Sequence, residues 1–178
     1  MDIVKLCLYT GACKAELINV SDLVLLPELR EFCEQNACGA YGKNYTCPPH
    51  IGEINDLIEK LKTYNKAVIW QNIYPLEDSF DYEGMMDAKK DHDIQTREVA
   101  DKIYTEPGMT RTLILGAGGC TLCESCAAND DTPCKNPSKA LSSLEAYGIN
   151  VSKIENITNM KYINGQDTVT YFSGVFFD

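Results

Sequence analysis

Cys120, Cys123, Cys126 and Cys134 have the residue type and spacing to hold a thiophilic metal centre. Three thiols at steps of three, in the run Gly-Ala-Gly-Gly-Cys-Thr-Leu-Cys-Glu-Ser-Cys, match the opening of the bacterial ferredoxin pattern, in which cysteine thiolates hold an iron–sulfur cluster. The fourth does not keep the ferredoxin step, because seven residues separate Cys126 from Cys134 and the proline follows only at Pro137. The longer Ala127 to Pro133 segment gives Cys134 the reach to return to the same centre. All four are therefore assigned to one [4Fe-4S] cluster, with their sulfurs around one centre. Structural zinc also takes four thiolates, but its usual spelling is two C-x2-C pairs held apart, so it is the alternative. Disulfides are disfavoured. The chain begins Met-Asp-Ile-Val-Lys, without the basic and apolar regions of a secretory leader, and a cytoplasmic, reducing setting is expected.

A second group, Cys33, Cys38 and Cys47, is spaced by four and eight residues around Gly39 and Gly42 and runs into Pro48, Pro49 and His50. Glycines and prolines at this density make a loop, which continues neither a helix nor a central strand. A second iron–sulfur or zinc site would hold such a loop, its fourth ligand being His50, Cys7, Cys13, a substrate or water. The plainer reading has Cys33 against a helix core and the other two as structural thiols.

The combination Cys-x4-Cys-Gly-x-Tyr-Gly-Lys-Asn-Tyr-x-Cys-Pro-Pro, Cys-x2-Cys-x2-Cys, Pro-Cys-Lys-x-Pro-x-x-Ala and Ser143-Leu-Glu-Ala-Tyr-Gly-Ile-Asn-Val151 resembles the predicted metal-binding family DUF2284. The resemblance covers about residues 30 to 178. It implies metal binding through Cys33, Cys38, Cys47, Cys120, Cys123, Cys126 and Cys134, and leaves Cys7 and Cys13 as ordinary apolar thiols.

The elements that must position these cysteines are legible in outline. A chain of 178 residues, 44% apolar, suffices for a single metal-binding domain over residues 1–178, with cysteine blocks at 33–50 and 120–134. No apolar run reaches the length of a membrane span. A net charge of −10 disfavours nucleic acid, whose phosphates need clustered lysine and arginine, and favours a basic partner protein or a small molecule; the iron–sulfur reading makes that partner a redox partner protein or small molecule. Residues 67–74, 111–115 and 168–177 are rich in β-branched and aromatic side chains and predict strands, with 15–20 a weaker fourth. Ile54, Leu57, Ile58 and Leu61 share one helical face, as do Met85, Ala88, His92, Thr96, Val99 and Ile103. The expected fold is α+β or α/β, a small mixed sheet with flanking helices and cysteine-rich metal-binding loops. Strand, helix and strand over residues 66–117 suggest a βαβ crossover delivering the Cys120 block. Asn136 as cap, Pro137 at the first position, the stripe Ala140, Leu141, Leu144 and Tyr147, and Gly148 as terminator predict a further helix. Its positive end would face the cluster.

Gly116 to Gly119 lacks the Lys-Ser/Thr of a phosphate loop and reads as room for the cluster loop. His92 reads as a core residue, and Tyr41 and Tyr45 as shields for a cluster. The expected function is iron–sulfur binding with electron transfer or delivery to a redox partner. The alternatives are a zinc-stabilised protein-interaction domain and a metalloenzyme with an open coordination position at Cys33, Cys38 and Cys47. An enzyme would show a sizeable cleft beside those three cysteines.

Overall fold

The computed structural model describes residues 1–178. In chain order the regular elements are α1 (Ile3–Tyr9), β1 (Lys14–Asn19), α2 (Leu29–Glu34), α3 (Ile54–Lys62), β2 (Lys66–Pro75), α4 (Tyr82–Tyr104), β3 (Thr112–Leu115) and β4 (Thr168–Phe177). The strands form one sheet in the order β1-β2-β4-β3, and every neighbouring pair is antiparallel. The architecture is α+β.

The expected crossover survives in altered form. Because β2 and β3 each run antiparallel to β4, they are parallel to one another and α4 links them, yet β4 lies between them. A strand contributed from the far end of the chain thus splits the βαβ unit, and the expected mixed sheet has no parallel ladder. The β4 insertion pairs all ten residues of β2, from Lys66 with Phe177 to Pro75 with Thr168.

Side chains alternate across the pleat, so the two-residue period of β2 divides the interior into two cores. Ala67 and Ile69 join Leu57, Leu61, Leu144, Ile149, Phe172 and Phe176 on the face covered by α3 and the chain beyond Ser143. Val68 and Trp70 join Val99, Ile103, Ile114 and Val175 on the face covered by α1 and α4. Cys7 is fully buried in this second core, as an apolar thiol. Cys13, by contrast, is exposed, so the apolar-thiol reading fails for it. Trp70 Nε1 donates to Gln95 Oε1 at 2.9 Å, which satisfies the indole inside an apolar layer. Burying a side chain of this size contributes roughly 2–3 kcal/mol.

The helix expected from Asn136 to Gly148 is absent. Asn136 closes only one turn, its carbonyl accepting the amides of Lys139 and Ala140. The chain then extends beside the end of β3: Gly116 N–H donates to Ser142 O at 2.8 Å, and Leu144 N–H to Gly116 O at 3.0 Å. A short 3₁₀ turn at Glu145–Tyr147 follows and ends at Gly148, whose φ of +78° suits glycine. The apolar stripe that suggested a helix is shared between both cores instead: Leu144 and Tyr147 enter one and Leu141 packs on the other. Sheet-edge pairing on both sides of Gly116 prevails over the capping signals. With the helix goes the argument that its positive end faces the cluster.

No helix is long and apolar enough to cross a membrane.

Candidate metal centre

The two cysteine groups meet at the end of the sheet where β3 stops. Beyond Leu115 the chain runs through Gly116–Gly119 into Cys120, and α4 anchors this segment. Lys89 Nζ lies 2.6 Å from Asp93 Oδ2 and donates to Gly119 O at 3.0 Å, while Thr121 Oγ1 donates to the same Asp93 oxygen at 2.6 Å. The Lys89 and Asp93 side chains are only 11% and 8% exposed, and Arg97 stands 3.8 Å from Asp93. A largely desolvated carboxylate is thereby neutralised while it fixes the loop. Gly118 takes φ +63°, a left-handed conformation that favours glycine, and a β-carbon there would also stand 2.9 Å from Lys89 Cε and push the lysine aside.

The first cysteine loop docks on the same segment from the other side. Cys120 N–H donates to Thr46 Oγ1 at 3.0 Å, and Asn44 Nδ2 donates to Cys120 O at 2.9 Å. Thr46 is buried and turns its own hydroxyl to Asn44 Oδ1 at 3.0 Å, so one side-chain pair satisfies both backbone groups of Cys120. Gly119 permits this approach, because a β-carbon there would meet Cys47 Sγ at 3.1 Å and Asn44 Nδ2 at 3.3 Å. The glycines expected to make room for the cluster loop let it pass close to Lys89, Cys47 and Asn44.

Cys120, Cys123, Cys126 and Cys134 all line one cavity, closed by Tyr45, Thr46, Leu122, Ala127 and Ala140. The Ala127–Asp130 3₁₀ turn reverses the chain between the third and fourth cysteine, and Asp131 takes the left-handed conformation at φ +51° to complete the return. Thr132 N–H then donates to Ala127 O at 3.1 Å. Tyr45 covers this turn with its hydroxyl donating to Thr132 O at 2.8 Å, the shielding position expected for it, whereas Tyr41 does not line the cavity. Asn136 Nδ2 lies 3.7 Å from Cys123 Sγ. As the side chains stand, no three His, Cys, Asp or Glu groups converge closely enough to hold a single ion.

In the other group, Cys33 is half-buried on α2, Cys38 is exposed and Cys47 is half-buried against Gly119. Burial pushes the Cys47 thiol up to about 11, and raises that of Cys33 against the opposing pull of Arg30. Both thiols are protonated at neutral pH unless a cation displaces the proton. His50 is exposed, with Nε2 3.1 Å from Gly42 O and its ring edge-on to Tyr45 at 5.1 Å. That contact engages Nε2 and leaves Nδ1 as the ring nitrogen open to a metal. His92 is a core residue, fully buried, with Nε2 2.7 Å from Ser173 Oγ.

Beside these groups lies a cleft of about 650 Å³ that Cys38, Cys120, Lys89 and Glu145 line together with aromatic side chains. Glu145 touches solvent, yet the concave protein surface around it desolvates its carboxylate and raises its pKa. In the sequence Lys89 has no assigned role, and Glu145 enters only as part of the Ser143–Val151 run that carries the family resemblance.

The chain matches the family model DUF2284, described as predicted metal-binding protein, over residues 16–177. No curated protein and no solved structure shows a significant match. The chain, with its cysteines gathered at one end of the sheet, belongs to the DUF2284 family of predicted metal-binding proteins.

Proposed function

We propose that the protein binds a [4Fe-4S] cluster through Cys120, Cys123, Cys126 and Cys134 and passes electrons to or from a redox partner. The observation that carries this reading is the single cavity on which all four thiols open, although Cys134 comes eight positions after Cys126. The sulfurs do not stand around one centre as expected, but the donor chemistry fits the group: four soft sulfurs, no competing carboxylate on the cavity wall, and apolar cover from Leu122, Ala127 and Ala140. Such a cluster would supply one-electron chemistry. The protein's own part is to fix the thiols through the Thr46 and Asn44 bonds to Cys120, to exclude water with Tyr45, and to hold Lys89 nearby.

Cys33, Cys38 and Cys47 are proposed as a second metal site, iron–sulfur or zinc, with His50, whose Nε2 contacts Gly42 O and whose Nδ1 stays open, as a candidate fourth ligand. The wide cleft alongside Cys38 favours, as a second reading, a metalloenzyme in which this site keeps an open position. A zinc-stabilised interaction domain draws on the same four-thiol cavity, and metal identity separates it from the iron–sulfur reading.

Electron paramagnetic resonance of the dithionite-reduced, anaerobically purified protein tests the proposal. A cubane signal that disappears in Cys123→Ser is expected. A silent spectrum from a colourless protein would overturn it.

A further inference from the structure

The cleft beside the cysteines has the construction of a binding site for a flat heteroaromatic molecule. Its volume, about 650 Å³, falls within the ordinary range for small-molecule sites. Cys38 and Cys120, one from each cysteine group, line it. So do Tyr82, which is 71% exposed, and Tyr162, which lies almost parallel to Phe172 at an angle of 16° and 6.4 Å between ring centres. Exposed aromatic rings gathered around a concavity are costly to leave to water and are suited to sandwiching another ring.

The floor adds a second kind of recognition. Because β3 pairs with β4 only from Gly174 to Phe177, the outer edge of Val169–Phe172 has no neighbouring strand, and these residues line the cleft. An unpaired strand edge presents backbone N–H and C=O groups in one plane. A ring system with in-plane donors and acceptors satisfies that edge while its faces meet the tyrosines. A plain hydrocarbon does not.

We propose that this cleft binds a redox-active molecule of the isoalloxazine class, with the polar rim of its ring system along the Val169–Phe172 edge and the molecule lying beside Cys38 and Cys120. The proposal extends the electron-transfer reading, on which it rests for the ligand being redox-active, by supplying a small-molecule partner next to the metal-binding cysteines. Lys89 and Glu145 place one cationic and one acidic side chain on the same cleft.

Riboflavin, titrated without oxygen into the purified protein and followed by its fluorescence, is the probe, with iron and acid-labile sulfide measured on the same samples. Saturable quenching is expected. Tyr82→Ala and Tyr162→Ala should each weaken binding by up to about tenfold, the value of one aromatic stack, and Met86→Trp, which fills the cleft, should abolish it. All three variants should keep the iron and sulfide of the parent. Absence of saturable quenching by a protein that holds its cluster would overturn the cleft proposal alone, and so would quenching unchanged in all three variants. Riboflavin binding with variant sensitivity, by a protein free of iron and sulfide, would sustain the cleft and remove the electron-transfer reading instead.

Discussion

Thr46 Oγ1 accepts the amide hydrogen of Cys120 at 3.0 Å, and this bond joins two cysteine groups separated by more than seventy residues of chain. Loss of the acceptor strands a backbone donor in a buried place, so Thr46→Val, nearly the same in shape, should cost about 1–3 kcal/mol. Urea denaturation checks it. Thr46→Ser, which keeps the hydroxyl, should recover most of the loss.

The ion pair behind the loop predicts a larger effect. Lys89→Met leaves Asp93 desolvated with only Arg97 at 3.8 Å to offset its charge, and should cost about 3 kcal/mol. Adding Asp93→Leu should restore much of it, since removing both partners of a desolvated pair is far less damaging than removing one. Chemical denaturation of the single and double variants distinguishes this from simple loss of packing.

His92 sets a pH dependence. Burial lowers its pKa to about 4 from an ordinary 6.5, with Asp93 opposing the shift and Lys89 adding to it. The unfolded chain therefore takes up a proton below pH 6.5 that the folded chain refuses until about pH 4. Stability is full above pH 6.5 and falls through this window by about 3 kcal/mol in total. Comparison of denaturation midpoints at pH 7 and pH 4.5 should show a smaller acid loss in His92→Gln than in the parent.

Mutation separates the two cysteine groups. Cys123→Ser should remove the cluster and destabilise the chain from about Cys120 to Gly148, because metal-binding free energy is folding free energy where the site forms only on folding. Cys47→Ser should leave that cluster in place and lower any second metal content. Equal loss of iron in both variants would mean that the groups build a single site.

Sequence patterns carried the local half of this structure. The strands follow from β-branched and aromatic composition, 15–20 less strongly than the other three, and the helices α3 and α4 from periodicity, because a residue's neighbours on the same helical face lie three to four positions away. Insertion of β4 between β2 and β3 does not follow, since it pairs residues about a hundred positions apart. Nor does the extended course of residues 141–143, where pairing with Gly116 prevails over a well-formed set of helix caps. The spacing of Cys120, Cys123 and Cys126 made the first cavity legible, and Cys134 completes its lining. Asn44, Thr46, Lys89 and Asp93 were silent, because each acts only through a partner brought close by folding.

Metal and sulfide analysis of anaerobically purified protein tests the central claim most directly. The account predicts at least about four iron and four acid-labile sulfide per chain, with broad brown absorption that Cys123→Ser removes. Colourless protein holding stoichiometric zinc and no sulfide would contradict it.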